Sequence, residues 1–462
     1  MFTLEQFQQA RLSRDPRFDG CFFVAVKTTK IFCRPICPAN LPREKNVEYF
    51  VIAQQAMGAG YRPCLRCRPD SAPQSCAWQG VNTTVERAIT LLRDNLHLSI
   101  QDIADKLGIT DRYLRQLFHK KLAISPKKYQ LYEQVLFAKQ LLHQTQLPID
   151  HIAHASGFGD ARRLQYNIKR VTHLTPRQIR RTPGADEPVL SLTLAYRPPY
   201  NWPHLRDFLA KRAIPSMEHI TQDSYARNFS YKGCHGYFHA WHLPDKQQFL
   251  VKLSLQHFEH LKPVLQNIKR IFDLDADTTL IEQQLSHSGL SELMQVSGIR
   301  IPGIWDTFEA GCRAILGQQI SVGAAIKLVT KLVDTLGQQC TENRPALIST
   351  DEKTVTRYFP TPEEVANSDL TFLGMPQSRR ATLRRFAGYY QQQSQDSPDQ
   401  WWTLKGIGPW TIAYAKMRGL SDPDIWPGTD LVIKKQLAIH PIDTEIARPW
   451  RSYLTFTLWS MA

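Results

Sequence analysis

Four cysteines in two close pairs constrain this chain more than any other feature. Cys33 and Cys37 are separated by three residues, Cys64 and Cys67 by two, and 26 residues lie between the pairs. Each pair fits one tight turn that offers two sulfurs, and the intervening chain must fold back to bring the turns together. The spacing predicts one tetrahedral Zn2+ per chain, held by Cys33, Cys37, Cys64 and Cys67. The flanks IFCRPICP and RPCLRCRPD are loop-forming and basic. A bound zinc lowers thiol pKa, so all four side chains would be thiolates. A purely structural zinc knuckle is the plain alternative.

Nine cysteines in 462 residues are too sparse for a disulfide scaffold. The start has no basic cap followed by an apolar stretch, and no apolar run approaches the ~18 residues of a membrane span. These features predict a cytoplasmic protein without a membrane partner. The length predicts two to four domains. Lysine and arginine number 57 against 42 acids, a net charge of +15. Residues 1–185 hold 28 of these cations and only 14 of the acids, whereas the rest is nearly balanced. So lopsided a distribution points to a polyanionic partner, most simply DNA; enhanced solubility is the alternative.

The chain reads as multidomain and mainly α. Residues 1–75 form a small zinc-bound α/β domain, and 80–182 a bundle of short amphipathic helices. Pro183-Gly184-Ala185-Asp186-Glu187-Pro188 reads as a linker. A mixed α+β subdomain follows at 189–290, with strands in VLSLTLAYRPPYNW, YFHAWHL and FLVKLSL. A helical domain occupies 291–462, with QQQSQDSPDQ (391–400) as a loop.

Within the bundle, LSIQDIADKLGITDRYLRQLFHKKL has the form helix, glycine turn, helix. Ile100, Ile103, Ala104 and Leu107 share a face, Gly108 ends it, and Tyr113, Leu114, Leu117 and Phe118 form the next apolar stripe. A second unit places Ile149, Ile152, Ala153 and Ala155 before Gly157-Phe158-Gly159 and a basic helix. Recognition helices are expected at about 110–120 and 160–171. Arg112, Arg115, Arg162 and Arg163 are their candidates for groove or phosphate contacts.

Near the C-terminus, LKGIGPWTIAYAKMRGL sets Gly406 and Gly408 at the head of a helix. Such glycines permit a tight turn and leave backbone amides open toward a DNA phosphate. Shortly after, IWPGTDLVIKKQL sets Asp430 at the head of an apolar helix, where its plain reading is an N-cap. Trp410, Tyr414 and Trp459 read plainly as helical core.

Three resemblances sharpen these readings. FFVAVKTTKIFCRPICPANLPREKNVEYF with AGYRPCLRCRPD resembles the Ada N-terminal zinc domain. That implies Cys33, first of the four, as both zinc ligand and acceptor of a methyl group from a DNA methylphosphotriester, in a single turnover. The paired helix-turn-helix units, with GFGDARR and LTPRQIRR, resemble the AraC-type DNA-binding domain, with Leu164 where an aromatic residue is usual. This implies promoter DNA and RNA polymerase as further partners, and methylation-dependent transcription activation.

The hairpin, the Gly/Pro loop and Asp430, together with LSLTLAYRPPYNW, FEAGCRAILGQQISVGAAIKLV, FLGMPQSRRATL and PWRSYLTFTLW, resemble AlkA-type 3-methyladenine DNA glycosylase II. The resemblance implies a helix-hairpin-helix glycosylase acting on alkylated purines in double-stranded DNA. Asp430 would be its catalytic carboxylate, Trp410, Tyr414 and Trp459 its base pocket, and Gln319 or Ile320 the plug that fills the space of a flipped nucleotide. Bifunctional relatives carry lysine where Trp410 stands, so hydrolysis without strand cleavage is expected. No Pro-Cys-His-Arg tetrapeptide occurs, so direct O6-methylguanine repair is not expected, and Cys234, Cys312 and Cys340 read as ordinary buried cysteines. Two readings of the whole chain stay open: a repair enzyme that also regulates, or chiefly a sequence-specific activator with secondary repair activity.

Overall fold

The computed structural model describes residues 4–13, 22–35, 37, 39–50, 55–56, 59–64, 67, 81–180, 190–290, 296–340, 355–392 and 397–461. The expected linker at 183–188 and part of the expected loop at 391–400 lie outside them. No helix among the described residues is long and apolar enough to cross a membrane. The chain divides into two compact units, Met1–Gln134 and Val135–Ala462.

The first unit opens with helix α1 (Leu4–Ser13) and four strands, β1 (Phe23–Val26), β2 (Ile31–Cys33), β3 (Val47–Phe50) and β4 (Arg62–Pro63). They form one sheet in the order β3-β1-β2-β4. Strand alternation sends Phe23 and Ala25 to one face, with Phe32, Ala56 and Tyr61. Val24 goes to the other, with Phe22 and Val47, where Phe7 of α1 packs. Arg11 of α1 donates to Tyr49 Oη (3.0 Å) and pairs with Glu44, fastening the helix to the sheet.

Helices α2 (Val81–Asp94), α3 (Ile100–Lys106) and α4 (Asp111–Leu122) follow, then α5 (Pro126–Gln144), within which the two units divide. Ser99 and Thr110 cap α3 and α4 through their hydroxyls. Gly108, at φ +67°, makes the turn between them. Ile100, Ile103, Ala104, Leu114, Leu117 and Phe118 form the core as the pattern predicts. Tyr113 does not: it is 41% exposed. It lies roughly 90° around the helix from the centre of the Leu114–Leu117–Phe118 stripe, so it reaches only the margin of the core.

The second unit begins with the rest of α5 and continues with α6 (Ile149–Ala155), α7 (Ala161–Thr172) and α8 (Pro176–Ile179). Leu164 is fully buried with Ile168, so it fills a core position on α7. An antiparallel five-stranded sheet follows, in the order β5-β9-β8-β7-β6. Its strands are β5 (Leu190–Ala195), β6 (Glu218–Ile220), β7 (Ser224–Tyr231), β8 (Cys234–Leu243) and β9 (Gln248–Leu255). The sequence pattern predicts β5, β8 and β9 but not β7, whose first six residues are all buried and include Arg227 and Asn228. Helices α9 (Trp202–Ala210), α10 (Leu261–Ile271) and α11 (Thr278–Ser286) complete this part.

The helical part holds α12 (Thr307–Leu316), α13 (Val322–Leu336), α14 (Pro362–Asn367), α15 (Gln377–Gln392), α16 (Pro409–Gly419), α17 (Leu431–Ile439) and α18 (Arg451–Ser460). It has two cores. One gathers Phe308, Phe386, Trp401 and Ile412; the other gathers Met417, Ile433, Leu454 and Phe456. Helix α16 contributes to both. Helix α12 is buried along its whole length, charged residues included. Its Glu309 pairs with Arg227 of β7 (2.8 Å), and its Arg313 pairs with Glu309 (2.8 Å) and with Glu218 of β6 (2.9 Å). Two cations and two anions thus compensate one another where the sheet meets α12, as buried charges must. Cys234 and Cys312 are buried as expected. Cys340 is instead only half-buried, because it lies beyond the end of α13 with its sulfur 3.3 Å from Tyr358 Oη.

Candidate active sites

The small sheet explains why the two cysteine pairs converge. Strand β2 ends on Cys33, and β4, its parallel neighbour, runs directly into Cys64, whose N–H donates to Phe32 O (3.0 Å). Cys37 and Cys67 close the group, and all four Sγ atoms lie within 4.8 Å of one another. Tetrahedral zinc with Zn–S bonds of ~2.3 Å sets its sulfurs ~3.8 Å apart, so geometry and donor type both fit one zinc ion. The Cys33 thiol donates to Cys67, which pushes Cys33 upward in pKa. The same bond, with the Arg34 N–H at 3.4 Å, outweighs burial and brings Cys67 down to about 6. Burial raises Cys37 to about 11. Cys37 is buried, whereas Cys33, Cys64 and Cys67 are half-buried.

Of the four arginines expected on recognition helices, Arg112 on α4 and Arg162 and Arg163 on α7 are exposed. Arg115 is exposed too, but it is held by Asp111 one turn earlier through two hydrogen bonds of 2.9 and 2.6 Å. Arg162 lines a cavity of about 530 Å³ with Gln165, Tyr166, Lys169, Arg177 and Arg180. Arg163 is not among its lining residues. Lys169, Arg177 and Arg180 escaped the sequence reading. Helical spacing of 162, 165, 166 and 169 was the available signal for the first of them.

The glycine hairpin forms as predicted. Gly406 adopts φ +94°, and a Cβ there would lie 2.2 Å from Thr382 Oγ1 on α15. Gly408 is the N-cap of α16, with Pro409 in its first turn. The first-turn amides of α16 therefore face outward without intrahelical acceptors. Gln318, a residue the sequence reading passed over, ties the loop between α12 and α13 to this hairpin. Its Nε2 donates to Gly406 O and to Thr411 Oγ1, both at 3.1 Å. Gly406→Ala meets both backbone strain and a side-chain clash. We expect it to destabilise the chain by about 2–4 kcal/mol and to weaken binding to undamaged duplex, measured by thermal denaturation and fluorescence anisotropy.

Just past the hairpin, a cavity of about 380 Å³ brings together Trp410 and Tyr414 of α16, Asp430, and Trp459 of α18. Asp430 is the N-cap of α17, so its plain reading holds: Oδ1 accepts from Val432 N (2.9 Å) and Ile433 N (3.2 Å). It is also more than a cap. Oδ2 accepts from Trp410 Nε1 at 3.0 Å, and Oδ1 from Trp459 Nε1 at 3.4 Å. Two indoles from separate helices aim at one carboxylate. Trp410 stacks on Tyr414 with ring centres 5.3 Å apart. Of the two candidate plug residues, Ile320 lines the cavity and is 36% exposed. Gln319 is exposed beside it with φ +58°. Arg212 and Arg313 also line the cavity, and neither was singled out in the sequence.

Comparison with known proteins finds matches along the chain. The metal binding domain of Ada matches residues 6–70, a helix-turn-helix domain 103–182, and the AlkA N-terminal domain 191–306. A Mycobacterium tuberculosis protein named "Probable bifunctional transcriptional activator/DNA repair enzyme AlkA" is 31% identical over 99% of this chain and 96% of its own length. DNA-3-methyladenine glycosylase 2 of Escherichia coli K12 is 31% identical over 58% of this chain and 96% of its own. The bifunctional transcriptional activator/DNA repair enzyme Ada of the same organism is 37% identical over 28% of this chain and 35% of its own. End-to-end likeness to the mycobacterial protein, with the three domain matches in order, establishes the family: the chain belongs to the fusions of an Ada zinc domain, an AraC-type helix-turn-helix domain and an AlkA-type glycosylase region.

Proposed function

We propose that this chain is a monofunctional DNA glycosylase that hydrolyses the N-glycosidic bond of alkylated purines such as 3-methyladenine. The observation that carries the reading is the carboxylate of Asp430, which accepts from the Trp410 and Trp459 indoles in an aromatic cavity beside the Gly406–Gly408 hairpin. An alkylated purine carries positive charge and stacks favourably on electron-rich rings such as Trp410 and Tyr414. The base must leave the duplex to reach them. Gln319 or Ile320 then fills the vacated stack. As the glycosidic bond lengthens, positive charge develops on the sugar, and Asp430 stabilises it and orients the attacking water. Among the described residues no lysine lines the cavity, which supports hydrolysis over lyase chemistry.

The N-terminal cluster supports a second, single-turnover activity. A zinc ion bound by Cys33, Cys37, Cys64 and Cys67, one per chain, would keep these thiols deprotonated at neutral pH. Cys33 is half-buried and stands at the end of β2. Its thiolate attacks the methyl carbon of a methylphosphotriester; the S–C bond forms, the C–O bond breaks, and the phosphodiester anion leaves. The transfer removes one negative charge from the cluster and so reduces its repulsion of DNA phosphates. With Arg112, Arg162 and Arg163 exposed on recognition helices, this charge change supports methylation-dependent promoter binding and recruitment of RNA polymerase.

Incubating the full chain with methylated duplex DNA tests both activities together. The expected result is free 3-methyladenine in solution, an uncleaved abasic strand, and protein heavier by one methyl group at Cys33. Absence of released base would refute the glycosylase reading; absence of protein methylation would refute the transfer.

A further inference from the structure

The cavity that accommodates Asp430 holds a cation that the proposed chemistry does not use. Arg212 follows α9 and lines the cavity together with Trp410, Tyr414 and Asp430. Its guanidinium lies 3.7 Å over the Phe208 ring, and its Nη1 donates to Phe208 O at 3.3 Å. Arg313 donates to the Arg212 carbonyl at 2.9 Å and so fixes the backbone beneath it. The neighbouring arginines are committed elsewhere. Arg313 is matched by Glu218 and Glu309, and Arg418 donates to Pro302 O and Tyr414 Oη. Arg212 has no carboxylate partner among the described residues. Burial, with Arg418 and Arg313 nearby, brings its pKa down only to about 10, so it remains charged at neutral pH.

A guanidinium has five N–H donors and no acceptor, and among the described residues one donor is used here. A free cation in a chamber built for cationic bases repels every substrate alike unless it is repaid by a hydrogen bond. Guanine carries an exocyclic oxygen acceptor where adenine carries an amino donor. An adenine-type base would set donor against donor; a guanine-type base would accept. Resting on the glycosylase reading above, we propose that Arg212 is a specificity residue that donates to the exocyclic oxygen of an oxopurine, favouring release of N7-alkylated guanine over 3-methyladenine. The ring and carbonyl of Phe208 hold the guanidinium at the cavity.

The test uses the full chain, duplex DNA treated with a methylating agent, and chromatographic separation of the released bases. Arg212→Met keeps the apolar contact with Phe208 and removes every donor. It should lower release of 7-methylguanine relative to 3-methyladenine by about ten- to a hundredfold, the range set by one charged hydrogen bond. Arg212→Lys keeps the charge without the fork and should fall between the two. An unchanged ratio of the two bases in these variants, both still being released, would overturn the assignment. If the methionine variant fails to fold, the lysine variant decides: a lowered ratio upholds the proposal and an unchanged one sinks it. A wild-type chain that releases neither base overturns the glycosylase reading itself, and the proposal with it.

Discussion

Asp430→Asn is expected to cut release of 3-methyladenine by at least about a hundred- to a thousandfold, the scale of losing one preorganised electrostatic contact in a site shielded from water. The fold should survive. Asparagine is as good an N-cap as aspartate, and its amide oxygen keeps the bonds from Val432 and Ile433. What fails is the other side of the group. The amide nitrogen would face Trp410 Nε1, donor against donor, and a neutral side chain cannot support positive charge on the sugar. Circular dichroism should therefore show a melting temperature within a few degrees of wild type, roughly the effect of 1 kcal/mol in a domain this large. Asp430→Ala separates the two roles further, because it removes the cap as well and costs about 1 kcal/mol more in stability. Base release by the asparagine variant near the wild-type rate would remove Asp430 from the chemistry and leave it a cap alone.

Cys33→Ala is expected to abolish protein methylation by methylphosphotriester DNA. The variant also loses a metal ligand, and structural zinc contributes about 10–16 kcal/mol in small domains of this type. Loss of transfer could then follow from unfolding. Cys33→His resolves this, because imidazole preserves a four-ligand nitrogen and sulfur set while removing the thiolate. We expect metal analysis to find about one zinc per chain in the wild type and in the histidine variant, with methyl transfer only in the former. Cys37→Ala should lose the zinc and the fold of the N-terminal domain together, since Cys37 is the buried member of the set. A methyl group mapped to Cys64 or Cys67 in the Cys33→Ala protein would reassign the acceptor.

The parts of this molecule that were legible in the sequence are those in which residue type and spacing dictate geometry. Two cysteine pairs can serve one metal only by meeting, and β2 and β4 bring them together. Gly406 and Gly408 must form a turn, and the φ of +94° at Gly406 shows why. The core faces of α3 and α4 follow the helical repeat. What escaped depends on partners far apart in the chain. Strand β7 was hidden because Arg227 and Asn228 look like surface residues until Glu309, more than eighty positions later, supplies a counter-charge. Gln318 was one polar residue in a polar loop until the hairpin supplied Gly406 O. Arg212 belongs to a segment with no motif, and only the folded chain sets it beside Trp410 and Asp430. Asp430 shows the converse: its local signal was a cap, and the two indoles that also donate to it arrive from α16 and α18.

Gly408, which caps α16, and Trp410, which faces the cavity, are two residues apart on one rigid turn. In the proposed function, the handle that would grip a strand and the chamber that would inspect it are consequently a single piece of backbone. Under the proposed function such a device would work as a ruler: it would locate an everted nucleotide by its distance from a held phosphate, without consulting the order of the letters.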